Sequence, residues 1–285
     1  MLLQAKIKNE DLLQDIRQAR SDSQAFHLWW LGQSGYLLQW QGRHLLTDPY
    51  LSDSLTTKYE KTDKPHIRMT ELVIDPGRLD FIDVATSSHN HTDHLDGETL
   101  IPLIRVNPSL KLIIPEANRD FVANRLHCDP HFPLGLNDGD RKEVAGFTFI
   151  GIPAAHEELE RDGQGRCKFM GYLIQFGKWS IYHSGDTVWH DEIIENLQSF
   201  SIDLAILPIN GSKAERRVAG NLTAKEAVRF AKTISAKMVI PCHYDMFTFN
   251  TADPASFVLE AKRKGQLHQV LQCGEQWSSH QLPCL

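Results

Sequence analysis

The 285-residue chain has no run of 18 apolar residues, so no membrane-spanning helix is expected. Its first twenty residues, Met1 to Arg20, hold no apolar core and carry acidic groups, so no signal peptide is expected there. Cysteine is sparse. Cys128, Cys167, Cys242, Cys273 and Cys284 are odd in number, scattered, and never form a CxxC pair. That excludes a disulfide framework and a thiolate zinc site, and it fits a reducing, cytoplasmic setting. Positive charge is not in excess: 30 Lys and Arg face 36 Asp and Glu, for a net charge of −6. Neither nucleic acid nor an anionic membrane is therefore an expected partner. No Pro/Gly/Ser linker, low-complexity stretch or tandem repeat interrupts the chain, which predicts one domain over 1–285 with an N-terminal helical extension over 1–25. A GxSxG nucleophile motif is missing too; the serine of GQSG at 32–35 reads as part of a glycine-rich strand connection.

What is present is alternation of short strands and helices. Leu12, Leu13, Ile16 and Ala19 share one helical face in residues 9–20. FHLWWLG, SGYLLQW and RHLLTDPYL read as consecutive antiparallel strands, with Gln41-Gly42 as a tight turn and Trp29 and Trp30 as core. Residues 52–70 are polar and read as a long surface loop, a candidate lid. Strands then alternate with helices: FIDVATSSH, KLIIP, FTFIGIPAA, GYLIQF, WSIYHSGD, IDLAILPI, KMVIPC and HQVLQC as strands, and four helical segments between them. The helix from 223 opens with a capping box, Thr223 to Glu226. Two blocks of strands, each followed by strand–helix units, predict an α/β fold: a four-layer αββα sandwich of two mixed β-sheets flanked by helices.

Histidine is the unusual component, with 14 residues. Ser-His89-Asn-His91-Thr-Asp93-His94-Leu-Asp96 follows the apolar run DVATSS. Alternation in a strand would turn His89 and His91 to one side, where both imidazoles could grip one ion. Asp93 and His94, past the strand, could face a second. Three further residues of ligand type also follow apolar runs: His156 after FTFIGIPAA, Asp186 after WSIYHSG, and His243 after KMVIPC. Strand ends are where loops converge over a rigid scaffold.

These segments resemble the metallo-β-lactamase fold superfamily in motif and order: HNHTDH, the later AAH, SGD and PCH. Within it, WWLGQSGYLL, LTDP, GYLIQF, IYHSGDT and KMVIPCHYDMF look most like the L-ascorbate-6-phosphate lactonase group. The likeness spans about residues 26 to 265. It departs at His156, where the lactonase proper has an aspartate. The resemblance implies a first metal on His89, His91 and His156, a second on Asp93, His94 and His243, and Asp186 bridging both. It implies a metal-dependent hydrolase acting on a lactone or ester of a small anionic sugar acid. The donors are all N or O, which suits two divalent ions, zinc or manganese, with iron not excluded.

The expected chemistry is attack by a water acidified between the metals, with Asp93 orienting the water or moving its proton. Asp48 in LLTDP, and Asp245, are candidates to support a ligand histidine by a hydrogen bond. His183, His190 and Arg216 are candidates for substrate contact; Arg216 and its neighbour Arg217 would offer a guanidinium fork to an anion. The rival readings are a phosphodiesterase acting on a nucleotide, RNA end or phospholipid, and a non-catalytic metal-binding protein. A homo-oligomer is compatible with the sequence.

Overall fold

The computed structural model describes residues 2–283. Helix α1 (Asn9–Ala19) buries Leu12, Leu13, Ile16 and Ala19, and Asp15 accepts a hydrogen bond from the Trp29 indole at 2.7 Å. Strands β1 (His27–Gly32), β2 (Gly35–Trp40) and β3 (Arg43–Thr47) form an antiparallel meander. Gln41 and Gly42, with φ of 47° and 76°, form the turn that matches the twist of β2 and β3. The segment 52–70 is not wholly loop. Helix α2 (Ser54–Tyr59) lies inside it, because Leu55 is drawn into a small apolar cluster with Tyr50, Met246 and Phe247.

Next come β4 (Val84–Thr86), α3 (Gly97–Val106), β5 (Lys111–Pro115), α4 (Arg119–Leu126) and β6 (Leu134–Leu136). A second meander follows: β7 (Arg141–Val144), β8 (Phe147–Pro153), β9 (Met170–Phe176) and β10 (Trp179–His183). After it come α5 (Asp191–Leu197), β11 (Leu204–Pro208), α6 (Ala224–Thr233), β12 (Met238–Cys242), α7 (Pro254–Lys264) and β13 (Leu267–His268). The capping box of α6 is formed, with Thr223 and Glu226 satisfying each other's amides. Only His268 of HQVLQC is in a strand; the closing strand is β14 (Gln276–Ser278), beside β1.

The two sheets run β14-β1-β2-β3-β4-β5-β6 and β13-β12-β11-β10-β9-β8-β7. In each, three antiparallel pairings are followed by three parallel ones. The chain thus lays down nearly the same wiring twice, with β14 returning after the second sheet to complete the first, although no sequence repeat announces it. The sheets pack face to face over an apolar core. The Tyr36 hydroxyl donates to the Pro241 carbonyl at 3.0 Å, the Tyr172 hydroxyl donates to the Ser87 carbonyl at 2.8 Å, and the Trp40 and Phe176 rings lie 5.3 Å apart. Helices α6 and α7 pack on each other and cover the parallel half of the second sheet. The architecture is an αββα sandwich. Among the described residues no helix is long and apolar enough to cross a membrane.

Candidate metal centre

Pairing of β4 stops at Thr86, so His89 and His91 are not alternate residues of one strand. They lie in the loop between β4 and α3, which itself gathers the rings. The His89 centroid is 4.6 Å from that of His91 and 4.2 Å from that of His94. Three polar groups hold this loop, Asp48 and Asp96 buried and Arg125 half-buried. Asp48, at the end of neighbouring β3, accepts from the Ser88 amide at 3.0 Å, from the Ser88 hydroxyl, and from His94 Nδ1 at 2.7 Å. Asp96 caps α3 and accepts from the hydroxyls of Ser52 and Ser54. Arg125 of α4 donates to the carbonyls of Asn90 and Leu95.

The second sheet supplies the facing residues. Strands β8, β10 and β12 run the same way, and their ends present His156, Asp186 and His243. The His156 Nδ1–H donates to the Gly220 carbonyl at 2.8 Å. Before Asp186, Gly185 has φ +60°, and a Cβ there would sit 2.5 Å from that of Ser88. The backbone can therefore press against the histidine loop only as glycine. Three sets of donor atoms lie within 4.8 Å of one another: His89, His91 and His156; His89, His94 and Asp186; Asp93, His94 and His243. Asp186 stands between the outer two sets. One oxygen is 3.3 Å from His94 Nε2; the other is 3.2 Å from His243 Nε2 and 3.6 Å from His156 Nε2.

This arrangement fits metal ions. His89 Nε2, His94 Nε2 and Asp186 Oδ1 are buried with no hydrogen-bond partner, a costly condition that a bound cation relieves. His94 and His156 are anchored through Nδ1, which leaves Nε2 facing the centre. Burial and neighbouring imidazoles push His89 well below the ordinary histidine range. Burial likewise lowers His91 and His156, although nearby carboxylates oppose it. These rings are neutral near pH 7, the form that ligates. Burial also acts to lower His94, but Asp186, Asp93 and Asp48 outweigh it and raise the ring well above the usual range. Burial acts to raise both carboxyls, yet His94 and His243 hold Asp93 below its ordinary range and Asp186 well below it. The carboxylates are thus charged and call for a cation.

Five of the seven, His91, Asp93, His156, Asp186 and His243, line a cleft of about 780 Å³, while His89 and His94 are buried. Around it stand Tyr59 and His66, stacked at 4.1 Å, and Phe249, 4.4 Å from His66. Lys58, Lys64 and Arg217 also line it. Lys64 donates to the Arg217 carbonyl at 2.6 Å, and the Arg217 guanidinium pairs with Asp63 at 2.8 Å, joining the 52–70 segment to the loop after β11.

The remaining expected contacts fall elsewhere. Arg216 is outside the cleft lining, and its guanidinium donates to the Asn210 and Thr251 carbonyls and to Asn250 Oδ1. It ties two loops together. His183 is fully buried in β10, with Nε2 at 2.9 Å from the Ser34 carbonyl. His190 caps α5 by accepting from the Glu192 amide at 3.2 Å, and it does not line the cleft. The Asp245 carboxylate hydrogen-bonds none of the seven residues; only its backbone is engaged, by Thr70 and Thr251. Sequence patterning missed Gln33, whose amide nitrogen is 2.7 Å from Asp93 Oδ2 and 3.0 Å from His243 Nε2. It also missed the aromatic wall, two of whose members, Tyr59 and His66, sit in the segment read as loop.

The family described as beta-lactamase superfamily domain matches residues 27–243. The chain belongs to the metallo-β-lactamase superfamily. A metal-dependent hydrolase of Methanosarcina mazei is 30% identical over 243 residues, 82% of this chain and 90% of that one. A probable L-ascorbate-6-phosphate lactonase of Salmonella heidelberg is 24% identical over 288 residues, covering 90% of this chain and 80% of its own. In fold, an isothiocyanate hydrolase from Delia radicum gut bacteria superimposes with a TM-score of 0.70 at 18% identity, covering 88% and 98% of the two chains. A metallo hydrolase of Ignicoccus hospitalis gives 0.65 at 21% identity, covering 89% and 98%. Membership places this chain among the superfamily's metal-dependent hydrolases.

Proposed function

We propose that this superfamily member hydrolyses the lactone or ester bond of a small anionic sugar acid at a centre of two divalent ions. His89, His91 and His156 would hold one ion, Asp93, His94 and His243 the other, with Asp186 between them. The observation that carries the reading is the convergence of seven N and O donors from both sheets, five of them lining one cleft, with buried, partnerless Nε2 and Oδ1 atoms among them. Bound there, the ions would supply Lewis acidity toward a substrate oxygen and would lower the pKa of water. The histidine-rich set favours zinc; the likeness to the lactonase group favours manganese.

The chain's own groups do the rest. Asp93, held ionised, orients the attacking water and takes its proton, then returns it to the departing alkoxide. The Tyr59–His66–Phe249 wall receives the apolar face of the sugar acid, and Lys58, Lys64 and Arg217 receive its charge. We place the enzyme in the cytoplasm as one domain, with neither nucleic acid nor membrane as partner. The test is metal analysis followed by turnover of lactones, carboxyl esters and phosphodiesters, with and without chelator. Lactone or ester hydrolysis that chelation abolishes and zinc or manganese restores is expected. Turnover confined to phosphodiesters would replace the substrate assignment, and a protein that takes up no metal would end the reading.

A further inference from the structure

We infer that Gln33 is a positioning residue of the centre: its side-chain amide fixes the Asp93 carboxylate while its backbone carbonyl fixes His243. This rests on the two-ion reading above. Gln33 lies in the tight connection between β1 and β2, is fully buried, and has φ +51°. Its carbonyl accepts from the Trp30 indole and from the His243 amide, each at 3.0 Å. Any residue could supply that carbonyl. The side chain needs a separate reason.

Among the described residues, the Gln33 amide is the only group within hydrogen-bond distance of the Asp93 carboxylate, at 2.7 Å. An ionised carboxylate only accepts, so the atom facing it must be the amide nitrogen. Gln33 Oε1 is then buried with no partner. A burden of that kind disfavours an amide over an apolar side chain of the same size, unless the N–H is needed. The same nitrogen is 3.0 Å from His243 Nε2. One residue therefore touches two of the three members of the set Asp93–His94–His243 and, by side-chain hydrogen bond, none of His89, His91 and His156.

The separating variant is Gln33→Met, which keeps length and volume, loses the donor and removes the unpaired oxygen. Zinc titration by calorimetry on native protein should show two binding steps, and His156→Ala identifies the step belonging to the other set. In Gln33→Met the step assigned to Asp93 should weaken about 10- to 100-fold, the range for lost support of a ligand, while the other stays within about threefold. Metal-free Gln33→Met should melt no lower than the native chain, a result that a merely structural glutamine would not give. Gln33→Gly, which relieves the left-handed backbone, repeats the test if the first variant does not fold. Equal weakening of both steps, no weakening, or a lower melting point of the metal-free protein would overturn the inference. A single binding step in the native protein would instead remove the two-ion reading, and this inference with it.

Discussion

Replacing Asp48 with asparagine should separate support of the metal centre from stability of the fold. Asp48 has φ +39°, a left-handed conformation that asparagine tolerates better than most residues, so the backbone need not move. The carboxylate is completely buried, and it accepts from His94 Nδ1 at 2.7 Å, from the Ser88 amide at 3.0 Å and from the Ser88 hydroxyl. An asparagine oxygen can keep the Ser88 amide. Its NH₂ then meets the His94 Nδ1–H, donor against donor. His94 escapes only by moving its proton to Nε2, the nitrogen proposed to ligate. Loss of a hydrogen bond to a charged group costs about 1.5–3 kcal/mol, which is about 10- to 150-fold in affinity at 1.4 kcal/mol per decade. Competition with a chromophoric chelator should show this loss for the ion on His94. The melting temperature of the metal-free protein should change far less than in Asp48→Ala, which strands the buried Ser88 amide. Asp48→Asn with native metal affinity and an unchanged metal-free melting point would show that the Asp48–His94 contact does not support the centre.

Three further outcomes are expected. Asp186→Ala should lose metal and turnover while His190→Ala keeps both, because Asp186 faces three histidines and His190 only caps α5; equal metal content in the two folded variants would refute the bridging role. Gly185→Ala should destabilise the protein by at least about 2 kcal/mol, from a left-handed residue carrying a Cβ and from overlap with Ser88, and a melting curve matching the native one would contradict this. Burial lowers His44 to about 4 from the ordinary 6.5, so the unfolded chain takes up a proton that the folded chain refuses between these values. Stability should therefore fall as pH drops through that window, by up to about 3 kcal/mol from this residue. Urea unfolding in chelator should show a shallower acid limb for His44→Leu, and parallel curves would exclude the effect.

The fold was largely legible because most elements declare themselves through apolar spacing: α1, the β1–β3 meander and the capped α6 all follow it. The elements that escaped notice are helices α2 and α7 and the short edge strands with little to bury. β7 is Arg-Lys-Glu-Val with three exposed residues, and β14 is three residues long. HQVLQC carries the apolar pattern of a strand, but only His268 finds a partner. At the centre, the ligand types could be read from chemistry and from their place after apolar runs. What could not be read was direction. Arg216 and Arg217 are adjacent and alike, and only the left-handed turn at Arg217 (φ 51°) separates a loop tie from a cleft residue. Gln33 gave no signal either, because its role depends on Asp93, sixty residues away in sequence.

The doubled wiring has a consequence for folding. One copy ends near β6 with His89, His91, Asp93 and His94; the other begins at β7 and brings His156, Asp186 and His243. Neither copy alone owns a full ligand set, since each outer triad draws from both. In the proposed centre, ion capture would wait until the two copies have docked, and a captured ion would then act as a clasp across their seam. Sheet docking and ion binding would become one linked equilibrium. A core substitution that loosens the seam, such as truncation of Phe176 beneath Trp40, would register first as leakage of metal, far from any ligand. Free metal concentration would, by the same linkage, set how long the two copies stay closed.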